Sequence, residues 1–326
     1  MAIQTICRHN RRMLGARMES EIRQQPEVLA RGLDSYFSSL KGYLSGRKFD
    51  MVLLTARGSS DNAALYARYL IEVHLGIPVS LSAPSVLTRF GTRVRYSNCL
   101  AIGISQSGAA PDVAEVLAAL RAEGHATLAI TNTSGSRLTK EAEHSVLLEA
   151  GTEQSVAATK TYTASALALY EVVRALGADL PVPQAPDDAW IEHARSEAEK
   201  SSGLVVRSSP LFSLGRGYGF STAHESALKL MECALIPCKA YSTADFEHGP
   251  KALAGYQSAA ISYDGAKPEL AAQGCSIIVA PEAPAADTIK PVWDVIYGQW
   301  MALHAARARG LNPDVPQHIQ KVTQTL

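Results

Sequence analysis

No charge of either sign prevails in this sequence: Lys and Arg number 31, and so do Asp and Glu. No global field therefore steers the chain toward nucleic acid or an anionic membrane, and any anion must be held by local groups. There is no run of about 18 apolar residues to span a bilayer, and the opening MAIQTICRHNRRMLGARMESEI lacks the apolar core of a secretory signal. Cysteine is scarce. Cys7, Cys99, Cys233, Cys238 and Cys275 form no CxxC pair, and their odd number argues against a closed disulfide framework. No His, Asp or Glu cluster has metal-ligand spacing, so a protein free of metal and cofactor, in a reducing cytoplasm, is expected. Neither GxGxxG nor the Walker pattern occurs, which leaves dinucleotides and nucleoside triphosphates without support.

What is present is a globular composition, 47% hydrophobic and 19% charged, over 326 residues, enough for two domains. From Phe49 onward short apolar runs alternate with longer amphipathic ones: DMVLLTARGSS, DNAALYARYLIEVHLG, IPVSLSA, CLAIGISQSG, PDVAEVLAALRAEG, ATLAITNT. Strand, turn and helix in repetition predict a parallel sheet covered on both faces. VAATKTYTASALALYEVVRAL reads as a long helix closing this unit, and the Pro-rich ADLPVPQAPDDAW as a linker. The grammar then restarts. Met51–Gly58 and Leu211–Gly217 are each an apolar strand running into a Gly turn and a helix, so the chain reads as a duplicated α/β unit. The expected division is an N-terminal helical segment over 1–45, a first domain over 46–180 and a second over 195–326.

Three segments put glycines and hydroxyl residues where strands end and helices begin: RGSSDN (57–62), ISQSGAAPD (104–112) and GTEQSVAATKT (151–161). Backbone N–H groups at a helix N-terminus bind anions, and Ser59, Ser60, Ser105, Gln106 and Ser107 would add side-chain donors. Each loop alone could be an ordinary cap. Two Ser-rich turns at the carboxyl ends of strands in one parallel sheet point instead to a small phosphorylated ligand. Further on, in HESALKLMECALIPCKAYSTADFEHGP, the spacing puts Glu225, Lys229 and Glu232 on one helical stripe, with Leu228, Leu230, Met231, Ala234 and Leu235 over the rest. Taken alone, that stripe reads as a solvated face whose Glu225 and Lys229 pair contributes about 0.3 to 0.5 kcal/mol. His224, beside it, reads as a packed structural histidine.

Together RGSS, SQSG, GTEQSVAATK, LGRG, ESALKLME, HGP and the terminal KVTQTL resemble the sugar isomerase (SIS) domain family, in particular the isomerase half of glucosamine-6-phosphate synthases and the glucosamine-6-phosphate deaminases. The resemblance runs from about Glu19 onward. It implies two tandem SIS domains, each a parallel sheet flanked by helices in a Rossmann-like, flavodoxin-type three-layer sandwich. It implies that Gly58, Ser59, Ser60, Ser105, Gln106, Ser107, Val156 and Ala157 hold the sugar phosphate, and that Glu232 moves a proton between C1 and C2. Lys229 and Glu225 match positions that shape the same site, His248 the residue that opens the sugar ring, and Lys321 the lysine of the C-terminal tail. Because the His loop completes the neighbouring subunit's site in such proteins, a homodimer is implied.

Departures are also visible. Ala110 stands where the family usually has Ser or Thr, Gln317 where Arg is common, and Lys251 to Ala286 is short, so the second domain is expected to have lost an element. With no glutaminase domain before the first unit and no N-terminal Cys nucleophile, hydrolytic deamination of glucosamine 6-phosphate to fructose 6-phosphate and ammonia is the expected reaction. A fructosamine-6-phosphate deglycase, another aldose-ketose phosphosugar isomerase and a non-catalytic sugar-phosphate sensor are the alternatives.

Overall fold

A computed structural model describes residues 14–321; Cys7 and the tail after Lys321 lie outside the described residues. The chain forms two compact units. One comprises Glu27–Thr152 and Lys160–Ala185; the other comprises residues 14–26, Glu153–Thr159 and Pro186–Lys321.

In chain order the long elements are α1 (Ala16–Arg23), α2 (Gln25–Leu44), β1 (Met51–Thr55), α3 (Ser59–Leu75), β2 (Val79–Leu81), β3 (Cys99–Ile104), α4 (Pro111–Ala122), β4 (Ala126–Thr131), β5 (His144–Leu147), α5 (Lys160–Ala175), α6 (Asp188–Arg207), β6 (Leu211–Gly215), α7 (Gly219–Ala234), β7 (Cys238–Ser242), β8 (Ala259–Ser262), β9 (Ser276–Val279) and α8 (Lys290–Ala308). The first unit carries a wholly parallel sheet in the order β2-β1-β3-β4-β5, with Leu53 opposite Ala101 and Ile102 opposite Leu128. Every residue of β3 and β4 is buried. That explains why these strands read as unbroken apolar runs: a parallel sheet with helices on both faces has no solvent face to alternate with. Leu53, Ala101 and Ala129 pack with Val113 and Leu117 of α4 and with Leu138.

The helix expected to begin in VAATK begins at Lys160 instead. The Glu153 carboxylate accepts the Thr159 N–H at 3.0 Å, so the residues between stay in a tied-back loop.

The second unit has four parallel strands in the order β7-β6-β8-β9, one fewer than the first sheet, in keeping with the shortening read from the sequence. Here α8 packs against α6, α7 and α1. Gly298 makes the approach of α7 possible, because a Cβ there would lie 2.1 Å from the Ser226 hydroxyl. Asp187 caps α6 by accepting the Trp190 N–H at 2.8 Å, and Asp314 caps α1 through the N–H groups of Arg17 and Met18.

On α8, His304 stacks on Trp300 with ring centres 5.8 Å apart. Burial pulls its imidazole down to about 4, with Arg307 and Arg195 pulling the same way against Glu199 and Glu19. The unfolded chain therefore takes up a proton, from an ordinary value near 6.5, that the folded state refuses. The stability tied to this neutral imidazole is fully present above about pH 6.5 and is lost as pH falls toward 4. Urea midpoints measured between pH 4 and 7 should fall less steeply for His304→Gln than for the parent protein; parallel slopes would mean that His304 accepts its proton freely in the fold.

Candidate active site

In the five-stranded unit the strand order reverses between β1 and β3, and the crevice beyond the carboxyl ends of such a pair is where open α/β sheets hold ligands. The loop after β1 supplies Gly58, Ser59 and Ser60; the loop after β3 supplies Ser105, Gln106 and Ser107. Gly58 sits at φ 56° and ψ −130°, backbone that glycine adopts without a Cβ penalty, and it opens α3 with Ser59 and Ser60 in the first turn. First-turn N–H groups have no intrahelical acceptor, which leaves them for an anion.

The second loop is held from behind. Ser105 donates its N–H to the Ile130 carbonyl at 3.1 Å, and the Gln106 carbonyl accepts the Asn132 N–H at 3.0 Å and the Thr131 hydroxyl at 3.2 Å. Gly108 turns the chain at φ 62°, where a Cβ would meet the Ser136 hydroxyl at 2.1 Å. Ala110 occupies the N-cap of α4 without a side-chain hydrogen bond, and Pro111 follows, so this helix start offers fewer donors than that of α3. Arg57 ties the two loops together: its Nε donates to Asp112 Oδ2 at 2.7 Å, with the carboxylate buried and the guanidinium half exposed.

The charged stripe of α7 lies in the other unit, and it is not a solvated face. Lys229 and Glu225 have side chains that are 0% exposed, with Lys229 Nζ 3.3 Å from Glu225 Oε1 and 2.5 Å from Glu232 Oε2; the Glu232 side chain is 26% exposed. The apolar Met231 and Leu235 are instead 42% and 44% exposed. Burial by itself would pull Lys229 down, but the Glu225 and Glu232 carboxylates outweigh it and hold the ammonium above its ordinary range. The neighbouring Cys233 thiol is lifted to about 12 by burial despite Lys229, which leaves it inert.

His248 ends the short helix Thr243–Glu247, exposed, with its N–H donated to the Asp245 carbonyl at 3.1 Å, and it does not join the Lys229 cluster. His224 is half buried, edge-on to Phe220 at 4.5 Å, and burial, then Lys239, lowers its imidazole.

Lys321 is anchored in the same unit as α7. Its ammonium donates to Glu153 Oε2 and to the Ser155 carbonyl, each at 2.7 Å. Glu21, from α1, receives the N–H groups of Gln154 and Ser155. Burial raises the Glu21 carboxyl and the nearby Glu153 charge adds to it, against the Gln154 and Ser155 N–H groups and Lys321. Val156 and Ala157 therefore sit in a loop fixed by two buried carboxylates and the tail lysine. The sequence reading assigned no role to Glu153, Glu21, Arg57 or Asp112. Glu153, Arg57 and Asp112 stand inside quoted motifs, where an acid or a base among small residues was the available signal; Glu21 meets its loop across more than 130 residues and carried none.

Residues 47–174 match the SIS domain family. Over 93% of its length the chain is 31% identical to the glutamine-fructose-6-phosphate aminotransferase (isomerizing) of Methanothermobacter thermautotrophicus and 30% identical to that of Streptococcus mutans. It covers 56% and 58% of them, so the chain spans little more than half the length of these relatives. Among solved structures, a glucosamine-6-phosphate deaminase from Thermotoga maritima superposes with a TM-score of 0.80 over 95% of this chain and 100% of that chain, at 23% identity, a likeness of fold.

Removing Lys229 alone would leave the buried Glu225 without its ion-pair cation. Lys229→Met should cost about 3 to 5 kcal/mol in denaturant unfolding, and Lys229→Met with Glu225→Gln should recover most of it. A loss below about 1 kcal/mol for the single variant, the range of an exposed pair, would refute burial of this cluster.

Proposed function

We propose, from the match of residues 47–174 to the SIS domain family, that this protein is a phosphosugar isomerase of the deaminating kind, which converts glucosamine 6-phosphate and water to fructose 6-phosphate and ammonia. The setting of Glu232 carries the reading: a carboxylate about a quarter exposed, with one oxygen 2.5 Å from an ammonium that is itself closed off from water. A base that takes a proton from one carbon and returns it to the next must be fixed in place yet open to its substrate. The names of the relatives, an isomerizing aminotransferase and a deaminase, support the same class of substrate.

The chemistry assigns one task to each group. The β1 and β3 loops hold the phosphate on helix N–H groups and on the hydroxyls of Ser59, Ser60, Ser105 and Ser107, with Gln106 as a further donor. His248, an exposed imidazole, opens the ring by protonating the ring oxygen while the C1 hydroxyl gives up its proton. Its exposure supports a place in the partner's site of a homodimer. Glu232 then takes the proton from C2, the electrons shift toward C1 and its oxygen, and the same carboxyl returns the proton to C1 while one amine proton passes to the C1 oxygen. That leaves an imine at C2. Water adds there and ammonia departs, which balances the reaction.

Lys229 keeps Glu232 aimed from the buried side, with Glu225 as its counter-charge. Lys321 presents positive charge to the developing enolate, while Val156 and Ala157 line the substrate. The four described cysteines are free and buried, which supports a reducing cytoplasm.

Purified protein should release ammonia from glucosamine 6-phosphate, and Glu232→Gln should lower kcat by about a hundredfold to ten-thousandfold with KM little changed. Cleavage of a fructosamine 6-phosphate with no ammonia from glucosamine 6-phosphate would replace the substrate. Binding without turnover of either would make the protein a sensor.

A further inference from the structure

A cavity of about 240 Å³ opens beyond the carboxyl ends of β8 and β9, lined by Tyr263, Gly265, Ala280, Glu282, Lys290 and Asp294 among others. It lies wholly within the four-stranded unit, and none of its residues takes part in the reaction proposed above. Its lining contains a group that the fold leaves unanswered. Asp294, in the second turn of α8, has its Oδ1 closed off from solvent and without a hydrogen-bond partner among the described residues.

The obvious partner is Lys290, one helical turn earlier and on the same wall. Its ammonium goes elsewhere, to Glu282 at 3.1 Å and to Asp287 at 3.0 Å, and among the described residues no ion pair reaches Asp294. The other polar group nearby, the Tyr263 hydroxyl, is engaged at 2.6 Å by Ser226 of α7. A carboxylate with one oxygen closed off from water and neither ion pair nor donor is costly, and it is relieved by taking up a proton or by a partner from outside the chain. Burial lifts the Asp294 carboxyl to about 7, with Lys290 opposing and Glu282 adding, as expected of an acid short of partners.

We infer that this cavity is a binding site for a small organic cation, a primary ammonium carried on a polar body no larger than a hexitol, with the ammonium on the Asp294 carboxylate. The cavity is too small to enclose a nucleotide or a peptide, and the one lining carboxylate without an ion pair selects a single positive charge. The inference does not depend on the reaction assigned above. The two meet in Tyr263, which forms a wall of the cavity and is bonded to the residue after Glu225 on the helix that bears Glu232.

Calorimetric titration at pH 8, where Asp294 is ionised, tests this with three probes: 1-amino-1-deoxysorbitol, its neutral counterpart sorbitol, and ammonium chloride. The amine should bind, sorbitol should not, and ammonium chloride should bind more weakly than the amine. Asp294→Asn should weaken the amine by about tenfold to a hundredfold, and should raise the melting temperature of the protein without any probe, since it removes the unanswered charge. Glu282→Gln with Asp287→Asn frees Lys290 to occupy Asp294 and should weaken the amine by about twofold. Equal binding of sorbitol and amine would overturn the ammonium, and ammonium chloride binding without the amine would overturn the organic body. Absence of heat with all three, amine binding unchanged in Asp294→Asn, or a fall in that variant's melting temperature would overturn the site.

Discussion

A lysine ammonium with no access to water, set between two carboxylates of its own helix, is the constraint around which the α7 unit is arranged. Its burial would be prohibitive without compensation, and the sequence supplies it through the spacing of a single helix: Glu225 lies four residues before Lys229 and Glu232 three after. No chain closure separates the partners, so little entropy is spent in joining them. The neighbouring positions serve the same end. Ser226 bonds Tyr263, Gly298 lets α8 come close enough to shut the stripe off, and the small Ala223, Ala227 and Ala234 fill the buried face. Only Glu232 emerges, held in place on one side and open on the other.

The β1 and β3 loops solve a different problem, since the anion they suit is met by backbone rather than by buried charge. Their rigidity comes from behind: Gln106 is pinned from β4, Gly108 is fitted against Ser136, and the Arg57 and Asp112 pair crosses from one loop to the other. Arg57 neutralises a buried carboxylate there, and that ion pair fixes the half-exposed guanidinium in position beside the helix starts. Loops stiffened in this way are pre-organised and would lose little further freedom on binding an anion.

The repeated strand, turn and helix were legible because a covered parallel sheet leaves unbroken apolar runs such as CLAIGI and ATLAIT, and a Gly turn after an apolar strand in each half marked the second α/β unit. The start of α5 was not, because helical periodicity in VAATK cannot show that the Glu153 carboxylate holds Thr159 out of the helix. The α7 stripe was legible as a set of residues and misleading as a surface. Amphipathic reasoning assigns charge to water, yet Lys229 went inward while Met231 and Leu235 stayed out. That inversion is what a local rule looks like when the packing of a buried ion cluster overrides it. Contacts such as Glu21 with Gln154 and Ser155 join residues distant in sequence, and no spacing rule reaches them.

The buried acids of the chain fall into kinds that differ in what answers them. Asp112, Glu153, Glu171 and Glu225 each face a cation, Arg57, Lys321, Arg174 and Lys229 respectively. Asp314 and Glu21 are answered by backbone N–H groups. Three of the four cations pair with acids in α4, the Glu153–Thr159 loop and α7, each in or beside a segment that carries candidate site residues. Apolar residues of similar volume would hold those positions at no smaller stability. What they could not supply is a charged group whose direction is fixed by the interior, and direction is what the chemistry proposed for Glu232 and for the β1 and β3 loops would require.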